Sequence, residues 1–133
     1  MGTVNSNFLP TTTGLSLGSQ SQRWLLNGQQ PLTVGPAIAV PFSASPTFTS
    51  SVGGLVVFSM TLTNNVTSSS LTLPTAALVI FQITQDATGN RTFAWAPNVF
   101  GGGTVQGPAG QIYTQHFYFD GTNAWALGPG GTV

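Results

Sequence analysis

The chain has 133 residues, the length of about one domain, and no cysteine, so disulfide frameworks and thiolate metal sites are excluded. Only 3% of its residues are charged (Arg23, Arg91, Asp86 and Asp120) and the formal net charge is zero. A neutral chain lacks the basic footprint that draws a protein to nucleic acid or to an anionic membrane, and it has almost no repulsion to keep copies apart. We therefore expect no nucleic-acid partner, no membrane insertion, and a chain that works in a constitutive assembly.

The first residues, Met1 to Asn7, have no basic region followed by an apolar run, so they do not read as a signal peptide. Residues 1–36 read as an extended N-terminal arm. Turn formers there separate isolated apolar residues, with too little to bury alone, so the arm is expected to pack on its own domain or on a neighbouring subunit. Leu15 and Leu17 alternate as in a short strand, and Trp24, Leu25 and Leu26 form the anchor. The candidate assembly residues of this arm are Leu15, Leu17, Arg23, Trp24 and Leu25.

Residues 37–133 read as the β-domain. The 17 glycines and 9 prolines punctuate the whole chain and disfavour helices. Strands are expected at 37–42 and 47–52. A strong one spans 55–62, with Val56, Phe58, Met60 and Leu62 on one face and Ser59 and Thr61 on the other. Asn64-Asn65 makes a turn, and a short strand at 70–73 stops at Pro74. The apolar run from Ala77 to Phe81 predicts a central strand covered on both faces. It is far shorter than the roughly 20 residues needed to span a bilayer.

After the loop 85–90, a strand at 91–95 is expected to place Phe93 and Trp95 on one side. A glycine-rich loop follows, with Gly101-Gly102-Gly103. Residues 111–119 alternate Tyr113, Phe117 and Phe119 against Thr114 and His116, and Asp120-Gly121 signals a hairpin whose return strand carries Trp125. Many short strands between frequent turns predict an all-β fold, an antiparallel β-sandwich of Greek-key or jelly-roll type.

Chemistry is sparse. Asp86 and Asp120 are the only carboxylates, and each stands in a turn context where aspartate is favoured for backbone reasons. A polysaccharide hydrolase would need them paired across a substrate. His116 is the sole histidine; it has no Gly-x-Ser-x-Gly elbow and no metal-ligand set beside it. The glycine run lacks the Gly-Lys-Ser/Thr of a phosphate loop. No enzyme activity, cofactor or metal is expected. Aromatic residues make up 11% of the chain. Most fit a core; Trp95, Tyr113, Tyr118 and Trp125 alternatively offer flat faces to sugars or a protein partner, with core the reading for Trp95 and Trp125. Tyr118, His116 and Tyr113 are the candidates for surface recognition.

Two stretches resemble tail-fibre and other virion proteins of tailed bacteriophages. The first, Leu15-Ser16-Leu17-Gly18-Ser19-Gln20-Ser21-Gln22-Arg23-Trp24, is similar to an element that recurs in fibre stalks and ahead of their distal domains. The second runs from Ser59 to Pro129 and includes Thr61-Leu62-Thr63-Asn64-Asn65-Val66-Thr67-Ser68-Ser69, Gln85-Asp86-Ala87-Thr88-Gly89-Asn90-Arg91-Thr92-Phe93-Ala94-Trp95 and Phe119-Asp120-Gly121-Thr122-Asn123. The resemblance implies a virion part, a homotrimer joined to other virion proteins of capsid or tail, with no catalytic residue to carry over. No long stalk precedes the distal-type module, which favours a small fibre, capsid decoration or tip protein. The alternative is a module that binds a carbohydrate or receptor, such as a bacterial surface glycan.

Overall fold

The computed structural model describes residues 35–133. All regular structure among them is β: β1 (Ile38–Ala39), β2 (Thr47–Thr49), β3 (Gly54–Leu62), β4 (Ser70–Thr72), β5 (Ala77–Gln85), β6 (Val99–Phe100), β7 (Ile112–Phe119), β8 (Ala124–Ala126) and β9 (Gly131–Thr132). The expected division into an arm at 1–36 and a body at 37–133 falls at the border of the described residues.

The first half winds rather than zigzags. β1 lies parallel to β3, and β3 parallel to β5, in one sheet. β2 lies parallel to β4 in a second. The same step of 23 residues separates Thr47 from Ser70 and Gly54 from Ala77, so one full coil stacks on the next. At the corner between the sheets Val66 bridges Phe93 in parallel, and Thr67 and Ser68 donate backbone N–H groups to the Ala44 carbonyl. This is a β-solenoid arrangement. The winding then ends in a hairpin: β7 runs antiparallel to β5, and β8 antiparallel to β7 but parallel to β6. The larger sheet therefore has the order β1-β3-β5-β7-β8-β6, with β9 also paired to β7.

The expected antiparallel sandwich is thus corrected to a mixed, coiled architecture. Its cause is visible in the side chains. Gly54-Leu55-Val56-Val57-Phe58 and Ala77-Leu78-Val79-Ile80-Phe81 are two versions of one pattern, and parallel register sets Val56 beside Val79, Phe58 beside Phe81 and Met60 beside Ile83. A one-residue slip would turn every one of these to the wrong face. Asn64-Asn65 and Pro74 consequently mark corners of a coil, not hairpin turns. The strands expected at 55–62 and 111–119 match β3 and β7. That expected at 37–42 shrinks to β1, and 91–95 carries only the bridge at Phe93.

The core fills the coil with rings. Phe81 is buried and touches Phe48, Phe58, Trp95 and Phe117, with centroids 5.0, 5.4, 5.2 and 5.7 Å away. Most of these contacts are edge-to-face, the arrangement favoured by ring quadrupoles. Trp95 donates its indole N–H to the Gly103 carbonyl at 2.8 Å. Gly102 lies flat on that indole, and a Cβ there would come within 2.5 Å of the ring. Gln115, the buried polar residue of β7, satisfies the same loop. Its amide donates to the carbonyls of Gly101 and Gly128, and its oxygen accepts from Gly103 N–H and the Tyr113 hydroxyl. Phe81→Ala should lower the unfolding free energy by about 3–5 kcal/mol, against under about 0.5 kcal/mol for Thr72→Ala at the exposed edge, as read by urea denaturation.

Candidate functional site

Strand alternation sends one set of side chains inward and the other to the outer face of the large sheet. Register then aligns the outward set into rows. Leu55 pairs with Leu78, Leu78 with Tyr118, Tyr118 with Trp125, and Trp125 with Phe100. Five large apolar or aromatic residues on five adjacent strands thus form one unbroken row. Leu78, Tyr118 and Phe100 are each 44% exposed and Trp125 is 45% exposed. Trp125 and Phe100 stack with centroids 4.8 Å apart and planes 19° from parallel.

The next row holds Val57, Ile80 and His116 in register, with Leu127 beside them through its N–H bond to the His116 carbonyl. Leu127 is 60% exposed. Beyond that the face turns neutral and polar: Ser59, Gln82 and Thr114 align, and then Thr61 and Thr84 beside Ile112. A shallow recess lies between Thr114 and His116 on one side and Leu127, Gly128, Pro129 and Gly131 on the other. Strand β5 therefore departs from expectation. Its inner face is buried, but among the described residues nothing covers Leu78 on the outside.

The ionised side chains of the described residues are engaged within their own loops. Arg91 donates from Nε and Nη2 to Asp86 Oδ2 at 3.2 and 3.0 Å, and the Thr88 and Gly89 N–H groups donate to Asp86 Oδ1. Neighbouring Gln85, buried, fixes the far side of the loop by bonding Arg91 N–H and carbonyl. Asp120 Oδ1 accepts the N–H groups of Thr122 and Asn123, and Oδ2 accepts the Trp125 indole N–H at 2.9 Å. This last bond fixes the azimuth of the Trp125 ring on the outer row. Asp86 follows the last residue of β5 and Asp120 the last of β7. Because those strands are antiparallel, the two carboxyls stand beyond opposite ends of a paired ladder that itself spans about 23 Å at 3.3 Å per residue. They do not form a catalytic dyad.

Of the sequence-predicted recognition residues, the structure brings Tyr118 and His116 together on the outer face. Tyr113 is corrected: it points inward, is 7% exposed and gives its hydroxyl to Gln115. Trp125, expected in the core, stands outside, and sequence reasoning missed it along with Phe100, Leu78 and Leu127. The hairpin held the signal, since register across Asp120-Gly121 opposes Tyr118 to Trp125 and commits both to one face. Leu15, Leu17, Arg23, Trp24 and Leu25 lie outside the described residues. Among the described residues no group of three or more His, Asp or Glu could hold a metal, and no helix is long and apolar enough to cross a membrane.

Arg91 holds the Asp86 carboxyl below the usual carboxylate range, helped by the Gly89 N–H. The Asn123 N–H and then the Trp125 indole do the same for Asp120. Both groups bind protons less readily when folded, so their stabilisation is present above the unfolded value of about 3.9 and is lost as pH falls through the lowered folded values. The thermal midpoint should be level from about pH 7 to 5 and fall below about 4. Replacing both residues with Asn should flatten that acid limb in melts followed by circular dichroism. Comparison with protein-family models, with curated proteins and with solved structures returned no match, so the geometry itself is the basis for a functional reading.

Proposed function

We propose that the protein is a structural part of a bacteriophage virion, a small fibre or decoration-type module that works as a homotrimer joined to other virion proteins. The observation that carries this reading is the state of its charges. Asp86 and Arg91 neutralise each other across 3.0 Å, and Asp120 is spent on its own turn and on Trp125. The described surface is left with neutral amides, hydroxyls and exposed rings. Near-zero charge removes the repulsion that keeps monomers apart, which suits a protein that spends its life assembled. Stacked coils extend along one axis, a geometry compatible with an elongated appendage. The resemblance of residues 15–24 and 59–129 to tail-fibre proteins points the same way.

A second reading, recognition of a bacterial surface glycan, is favoured by one feature. The indole of Trp125 is held by Asp120 against Phe100, a fixed aromatic surface of the kind that stacks on sugar rings. Glycan-array binding by the trimer would separate it from a purely structural role.

Light scattering of the purified full chain tests the first reading. The expected mass is three times the 13.7 kDa of one chain, constant on dilution through the micromolar range. A single-chain mass at every concentration would contradict it.

A further inference from the structure

We infer that the outer face of the β3-β5-β7-β8-β6 sheet is the surface through which copies of this chain pack on one another. The inference rests on the trimer reading above and assigns its interface. It starts from an imbalance. Parallel strands are normally covered on both faces. Here β3 and β5 cover theirs only inward, while Leu78 and its row partners Tyr118, Trp125 and Phe100 stand about half exposed. A row of half-exposed apolar side chains and rings with a polar margin has the character of the patches found on contact surfaces.

Chemistry selects the occupant. None of the outward residues of β3, β5, β7 and β8 is Asp, Glu, Lys or Arg. A partner recognised by charge would find no counter-ion on these strands, and at their end only Asp120, already bonded to its own turn and to Trp125, so it would bury its ions poorly paired. A second copy brings only the same neutral groups, so nothing is stranded. Area agrees. Two apolar rows, four strand spacings wide, cover about 250 Å² in projection, too little for a stable contact. The whole face, on which β8 contributes three residues and β6 two, projects to about 490 Å². Side-chain relief raises that toward the roughly 800 Å² a chain gives to one standard interface, which in a trimer it divides between two neighbours. The interface must therefore include the polar half, where Gln82, Thr84 and Thr114 offer amide and hydroxyl groups that serve as both donors and acceptors. His116 sits where the two halves meet.

The test is light scattering of full-length variants, with far-UV circular dichroism and thermal melts to confirm folding. Leu78→Gln, Trp125→Ser and His116→Asp each put a polar or charged group into the face. Thr72→Asp is the control, since Thr72 is exposed on β4 in the second sheet. The expected result is a trimeric wild type and control, with the three face variants folded but reduced to single-chain mass. Should Trp125→Ser unfold through loss of its bond to Asp120, Leu78→Gln and His116→Asp still decide, because neither side chain bonds another described residue. Face variants that stay trimeric would overturn this assignment while leaving the trimer reading intact. A monomeric wild type would overturn both.

Discussion

Phe58 on Phe81 is the contact on which the rest is built. These two rings are register partners in adjacent parallel strands, 5.4 Å apart, and both are buried. Around them Val56 meets Val79 and Met60 meets Ile83. Each coil buries its apolar set only by lying on a coil with the same set, as in any stacked repeat. The pairing fixes the register of β3 on β5. Register then fixes which residues face out, and the outward residues make the candidate surface.

The end of the winding follows from the same pairing. A third long strand laid parallel on β5 would continue the coil and leave another open edge. Instead β7 pairs antiparallel to β5 and turns at Asp120-Gly121 into β8, which reaches the short β6. The hairpin ends the winding, and Gln115 ties it down by bonding the carbonyls of Gly101 and Gly128. Open sheet edges invite uncontrolled pairing between chains, and this end presents only the two-residue β6 as its edge, a length that blunts such pairing.

Much of this was legible in the residues. Alternation in 55–62 and 111–119 correctly divides inner from outer side chains, and Asp120-Gly121 correctly marks the hairpin. Three features escape it for one reason: alternation within a strand does not say what that strand lies against. The recurrence of Leu-Val-Val-Phe at 55–58 as Leu-Val-Ile-Phe at 78–81 states the coil step outright, and it is what overturns the sandwich. The apolar run 77–81 suggested burial on both faces, whereas its outward members Leu78 and Ile80 belong to the exposed rows. Trp125 looked like core among Ala124 and Ala126, yet only Ala124 is fully buried. The network around Gln115 and the glycine loop had no sequence signal, because it depends on residues brought together from β7, 101–103 and 128.

Hydroxyl-radical footprinting of the full chain at a concentration where it is assembled tests the central claim most directly, because the protein carries its own reference. Tyr113 is buried within the fold and Tyr118 stands two rows away on the outer face. If copies cover that face, peptides holding Tyr118 and Trp125 oxidise about as slowly as the one holding Tyr113. If both oxidise many-fold faster in a sample of full assembled mass, the face is bare and the account is wrong.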